Sequence, residues 1–108
     1  MKNDPKEKLF GSLTMCRRAG RLALGFDSTK ESIAEGKASL ILLASDASEK
    51  TEKETRFFAD KAGVPVMRTE ADMNEIGWSL GKKCGVIAVC DEGFARAIAD
   101  KIVSHPLP

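Results

Sequence analysis

Three stretches of this chain carry residues able to hold an anion. They are Gly25 with Asp27, Ser28 and Lys30 behind it, the run Lys82-Lys83-Cys84-Gly85, and the basic cluster Arg17-Arg18-x-x-Arg21. A helix that opens after Gly25 leaves its first amides unpaired, which favours phosphate oxygens or base-edge acceptors. A basic loop beside it grips a phosphate backbone through charge and shape. These loops, with Ser45-Asp46, could converge at one end of a layered fold. The same residues have plainer uses: Gly25 and Gly85 permit tight turns, the lysines keep a surface soluble, and Arg17 and Arg18 suit the negative end of a helix dipole.

Other chemistry is thin. There is no G-x-x-x-x-G-K-[ST] loop, and Gly20 with Gly25 does not complete a dinucleotide-binding fingerprint. The single histidine, His105, lies near a proline-rich end, so no base accompanies a thiol or hydroxyl nucleophile. Asp91-Glu92 and Glu31/Glu35 read as a helix cap and an exposed helix face. Cys16, Cys84 and Cys90 are an odd set without C-x-x-C spacing, which argues against zinc and for reduced thiols. The expectation is a non-enzymatic protein with no cofactor, no metal and no small-molecule substrate.

The elements that must position the anion-holding residues are legible from one stretch, Leu40-Ile41-Leu42-Leu43-Ala44. It is apolar without alternation, so both its faces are expected to be covered, as in an interior strand with helices on each side. Gly85-Val86-Ile87-Ala88-Val89 repeats the pattern. Leu22-Ala23-Leu24 is a short strand candidate, and Val64-Pro65-Val66-Met67 is another whose proline suggests an edge. Between them lie five helices. The first is capped by Asp4, carries Leu9, Phe10, Leu13 and Cys16 inward and stops at Gly20. The second starts at Asp27 or Ser28, with Ser28-x-x-Glu31 as a capping box and Thr29 and Ile33 on one face, and stops at Gly36. The third follows a cap within Asp46-Ala47-Ser48-Glu49, buries Thr51, Thr55, Phe58 and Ala62 and stops at Gly63. The fourth opens on Thr69-x-x-Asp72, carries Met73, Ile76 and Leu80 and stops at Gly81. Asp91 caps the fifth, whose inner face is Phe94, Ala95, Ile98, Ala99 and Ile102. Alternating elements with short connections give an α/β protein, a three-layer α/β/α sandwich around a parallel or mixed sheet.

The chain has 108 residues, 43% apolar and 31% charged, which suits one domain over 1–108 with a frayed tail at 103–108. The N-terminus MKNDPKEK is polar, and no apolar run nears the ~20 residues that span a bilayer, so a cytoplasmic location without a membrane partner is expected. Seventeen basic residues face sixteen acidic ones, a net charge of +1. Any nucleic-acid binding must therefore rest on local clustering.

In order and spacing, four pieces resemble the small bacterial YlxQ proteins, within the superfamily of ribosomal proteins L-seven-Ae and L-thirty-e. They are Cys16-Arg17-Arg18-Ala19-Gly20-Arg21-Leu22 followed by Gly25; Gly36-Lys37-Ala38 through Leu40–Ala44 to Asp46-Ala47-Ser48; Gly63-Val64-Pro65-Val66; and Leu80-Gly81 leading to Val86–Val89 and Asp91-Glu92-Gly93-Phe94-Ala95. The resemblance spans about Lys8 to Ile102. It implies a four-stranded mixed sheet and an RNA-binding protein linked to the ribosome, with kink-turn-like structured RNA as the partner.

In that superfamily the second helix opens on Gly-x-Asn-Glu-x-x-Lys, with a further basic residue one turn on. Here Gly25 matches, while Asp27 stands at the Asn position, Ser28 at the Glu position, and Glu31 and Glu35 at the two basic positions. Carboxylates facing phosphates repel what those positions attract, and each lost phosphate contact removes a released counterion. Lys30 and Lys37 are adjacent but point elsewhere on the helix. The resemblance implies RNA contacts at Gly25, Asp27 and Ser28 and in the loop Lys82, Lys83, Cys84 and Gly85; Lys30, at the same helix start, and Arg17, Arg18 and Arg21 are further candidates from their charge. The alternative is a protein-interaction module on the same scaffold, with Glu31 and Glu35 facing a partner.

Overall fold

The computed structural model describes residues 5–103. The elements run α1 (Pro5–Arg18), β1 (Leu22–Leu24), α2 (Phe26–Ala34), β2 (Leu40–Leu43), α3 (Glu49–Ala62), β3 (Val66–Arg68), α4 (Met73–Leu80), β4 (Val86–Val89) and α5 (Glu92–Val103). The expected Asp4 cap lies outside the described residues. So does most of the expected 103–108 tail; Val103 itself ends α5.

The four strands form one mixed sheet in the order β1-β4-β2-β3. β4 is antiparallel to both β1 and β2, while β2 and β3 are parallel. All four residues of β2 and all four of β4 are buried, as their unbroken apolar runs require. Each run divides between two cores with a period of two. Leu40, Leu42, Ile87 and Val89 join Leu9, Leu13, Ile76 and Ile98, beneath α1, α4 and α5. Ile41, Leu43, Val86 and Ala88 join Ile33 and Ala59, beneath α2 and α3. This is the three-layer α/β/α sandwich.

Local chemistry moves several boundaries. Helix α2 begins at Phe26 with Gly25 as its cap and no side-chain cap bond, so the Ser28-x-x-Glu31 box is not formed. The sharp backbone turn at Gly25 starts the helix early, which puts Ser28 inside the first turn. Helix α3 takes Ser48, whose hydroxyl accepts from the Thr51 amide. Its inner stripe is Thr55 and Ala59, while Ala62 is exposed. Helix α4 is capped by Asp72 rather than Thr69, with Glu75 completing a reciprocal box. Thr69 instead bridges the Leu43 carbonyl and the Ala71 amide. Strand β3 is an edge, as Pro65 implied, but it begins at Val66 because the Val64 amide is spent closing α3 onto Ala59. Asp91 does accept from the Phe94 amide at the start of α5.

Thr29 and Thr55 are buried, and neither hydroxyl has a hydrogen-bond partner. An unpartnered buried hydroxyl is a standing cost, so Thr29→Val and Thr55→Val should each raise stability by about 1 kcal/mol. The measurement is a higher urea midpoint at unchanged slope.

All three cysteines are free. Cys16 donates its thiol proton to the Arg21 carbonyl at 3.2 Å. Burial, then the charges of Asp91 and Cys90, push this thiol up from 9.0 to about 11. In the unfolded chain it would ionise near 9.0. Above that pH the unfolded state binds fewer protons than the folded one, so stability falls as pH rises through this window. Cys16→Ala should flatten the decline in melting temperature between pH 9 and 11, leaving the part due to Cys84, whose thiol burial also raises. An unchanged slope would show that Cys16 does not titrate late.

Candidate nucleic-acid interface

The pairing registers decide which loops share an end of the sheet. Leu24 lies opposite Ile87, and Leu43 opposite Val86 and Arg68. One rim therefore gathers the β1–α2 turn at Gly25, the β2–α3 turn, the segment after β3 and the loop entering β4. The opposite rim holds Arg21, Ser39 and Cys90, tied by the Cys90 amide to the Arg21 carbonyl and the Ser39 amide to the Val89 carbonyl.

Gly25 has φ 100° and ψ 161°, a conformation open almost only to glycine. It donates its amide to the Val86 carbonyl at 2.8 Å and accepts the Thr29 amide as the first bond of α2. The amides of Phe26, Asp27 and Ser28 are then the helix's unpaired donors. A Cβ added to Gly25 would lie 3.4 Å from Lys82 Nζ, so the mouth of α2 and the basic loop touch. Gly77 marks the loop's other attachment: a Cβ there would lie 3.2 Å from Lys83 Cα. The Lys83 backbone thus rests closely on α4 and would have to give by a few tenths of an ångström for any side chain at that position.

These walls enclose an open cleft of 460 Å³. Gly25–Ser28 form one side, Lys82–Val86 another, and Asp46–Ser48 with Met73 the third. Lys82 and Lys83 are exposed. Asp27 is exposed in the first turn of α2, and Asp46 accepts the Met73 amide at 3.0 Å. Two ammonium groups thus share the cleft with two carboxylates. Cys84 is only 8% exposed, so the loop offers backbone there rather than a thiol. Burial raises that thiol, while the Gly25 amide and Lys82 pull the other way.

The remaining candidates divide. Lys30 leans away from the cleft, its Nζ 4.9 Å from the centre of the Phe58 ring. Arg17 reaches the carboxyl end of α4, where a Cβ on Gly81 would lie 3.5 Å from its Nη1, one residue before Lys82. Arg18 is exposed in the last turn of α1. Arg21 is on the opposite rim, about 13 Å from Gly25 by the length of the intervening strand. Glu31 is exposed along α2, and Glu35 pairs with Lys37 at 3.2 Å, about 15 Å from Gly25 along the helix.

One structural residue of this rim went unforeseen. Arg68 donates to the Ala44 and Ser45 carbonyls, both at 3.0 Å, and pairs with Glu52 at 2.6 Å. It straps the β2–α3 turn that forms the third wall. An arginine closing an edge strand is a faint signal, visible only once β3 is known to be parallel to β2. Among the described residues, no cluster of His, Cys, Asp or Glu could hold a metal ion, and no helix is long and apolar enough to cross a membrane.

Known proteins resemble this chain in sequence and in fold. The family model described as Ribosomal protein L7Ae/L30e/S12e/Gadd45 matches residues 7–99. The RNA-binding protein YlxQ of Enterococcus faecium is 29% identical over 102 residues, covering 94% of this chain and 98% of that protein. The large ribosomal subunit protein eL30 of Eremothecium gossypii is 30% identical over 90 residues, covering 82% of this chain and 86% of its own. A solved protein of unknown function from Bacillus halodurans superposes with a TM-score of 0.81 at 29% identity, over 88% of this chain and 96% of that one. A match spanning all but the ends of the sandwich, shared with relatives of nearly the same extent, shows that the chain belongs to the ribosomal protein L7Ae/L30e/S12e/Gadd45 family.

Proposed function

We propose that this protein binds structured, kink-turn-like RNA in association with the ribosome, without catalysis. The reading rests on one juxtaposition, the uncapped amides after Gly25 beside the Lys82 ammonium. The amides of Phe26, Asp27 and Ser28 take phosphate or base-edge acceptors, and Lys82 and Lys83 hold the backbone of the bend. Asp27 accepts hydrogen bonds only, so it suits a base edge rich in donors, such as guanine, and must stay clear of phosphates. Ser28 both donates and accepts. Arg17 extends the surface beside Lys82, whereas Arg21 on the far rim has no part in it. The names of the relatives, an RNA-binding protein and a large-subunit ribosomal protein, agree with this reading.

The test is crosslinking to RNA in cells, with the labelled peptides mapped. Label is expected on peptides holding Gly25–Lys30 and Lys82–Gly85, and it should vanish in Lys82→Glu/Lys83→Glu. Recovery of RNA with neither loop labelled moves the site elsewhere; recovery of none removes the RNA reading.

A second reading has its own observation. Trp78 is 91% exposed on α4, beside half-buried Phe10, in a groove where Glu7, Asp72 and Glu75 outnumber Lys6. An exposed tryptophan in an acidic groove suits a basic protein segment. Trp78 is the sole tryptophan, so its fluorescence should shift blue on binding such a segment and stay unchanged when RNA fills the cleft.

A further inference from the structure

The outer face of α2 and α3 carries an aromatic feature that the cleft does not use. Phe26 and Phe58 meet edge-on at 6.1 Å, and Phe58 and Phe57 at 5.3 Å. The row begins at Phe26, which also lines the cleft, and ends at Phe57, 57% exposed. Cations flank it. Lys30 Nζ lies 4.9 Å from the Phe58 centroid, and Lys61 Nζ 4.8 Å from that of Phe57. Lys30 and Lys53 border a 400 Å³ groove over these rings, against the one carboxylate of Glu54.

We propose that this face is a stacking platform for unpaired RNA bases, with Phe57 as the platform and Lys30, Lys53 and Lys61 as phosphate contacts. It rests on the RNA reading above and extends the path of a strand leaving the cleft at Phe26. An open ring edged by ammonium groups is the pairing single strands use: every base has a π-face, and every linkage a charge. A protein-docking core instead depletes lysine around its aromatic anchors. A base on Phe57 takes the ring face Lys61 now covers and sends that ammonium outward to a phosphate. Lys30 turns toward α3, where Lys53 borders the same groove and Lys61 stands over Phe57.

The experiment uses the full chain and two probes, the single-stranded decamer of uridine and a blunt kink-turn duplex. Phe57→Leu keeps an apolar side chain but removes the π-face, and should weaken decamer binding about tenfold. Phe57→Trp should bind at least as tightly as the parent. Lys53→Glu/Lys61→Glu should weaken the decamer and reduce its salt slope by about 1.4. All these positions are exposed, so melting temperatures should hold. The duplex should be indifferent to Phe57→Leu and respond to Lys82→Glu/Lys83→Glu. No decamer binding by the parent, or equal binding by Phe57→Leu, overturns the platform; the latter marks an apolar protein-facing patch. Decamer binding that needs Phe57, with no duplex binding, upholds the platform and removes the cleft reading instead.

Discussion

Lys82→Glu/Lys83→Glu should lower affinity for a kink-turn RNA by about a hundredfold or more. A charge-assisted hydrogen bond contributes ~1.5–3 kcal/mol, so two lost contacts account for that factor before the new repulsion is counted. The cleft is poised for a large response because its charges balance, Lys82 and Lys83 against Asp27 and Asp46. Reversing both lysines leaves four carboxylates at the mouth of α2. The logarithmic salt slope should become shallower by about 1.8, the share of two neutralised phosphates. Both side chains are exposed, so the melting temperature should barely move. Of the single changes, Lys82→Ala should cost more, since its ammonium is the one against Gly25. A change below threefold with an unaltered salt slope would falsify the cleft as the RNA site.

How far this arrangement could be read beforehand depends on which physical signal carried it. Leu40–Leu43 and Val86–Val89 declared themselves because a strand covered on both faces needs no polar alternation, and the two cores divide their residues accordingly. Gly36, Gly63 and Gly81 marked helix ends because a positive φ is cheap only for glycine. Caps were harder to place. Asp46, Ser48, Thr69 and Asp72 are all competent acceptors, and only tertiary position decides that Ser48 and Asp72 cap while Asp46 holds the Met73 amide across the rim. Arg17, Arg18 and Arg21 look equivalent in the sequence. The chain reverses at Gly20, so Arg17 sits beside the basic loop while Arg21 leads into β1 on the other rim. The aromatic row was hidden for a similar reason: Phe57 and Phe58 are adjacent, and on a helix they face ~100° apart, one toward Phe26 and one toward solvent.

The sharpest single-residue test of the link between fold and site is Gly25→Ala. At φ 100° and ψ 161° a side chain is strained whatever space surrounds it, and here the added carbon also meets Lys82 Nζ at 3.4 Å. A cost of about 2–3 kcal/mol follows, from a total stability of order 5–15, which lowers the melting temperature by about 10–20 °C. The contact with Lys82 is an ordinary one, so the strain lies in the backbone. Relieving it rotates the peptide, loses the 2.8 Å bond to Val86 and tilts the start of α2. That tilt moves the free amides away from the ammonium, so RNA affinity should fall more than tenfold even at temperatures where the protein stays folded. Gly36→Ala supplies the comparison. Its φ is 73° with nothing near the added carbon, and it lies at the other end of α2. That change should cost about 1–2 kcal/mol and leave RNA binding intact. If the two variants lose stability alike and bind RNA alike, Gly25 is an ordinary turn and the amide–lysine saddle does not hold RNA.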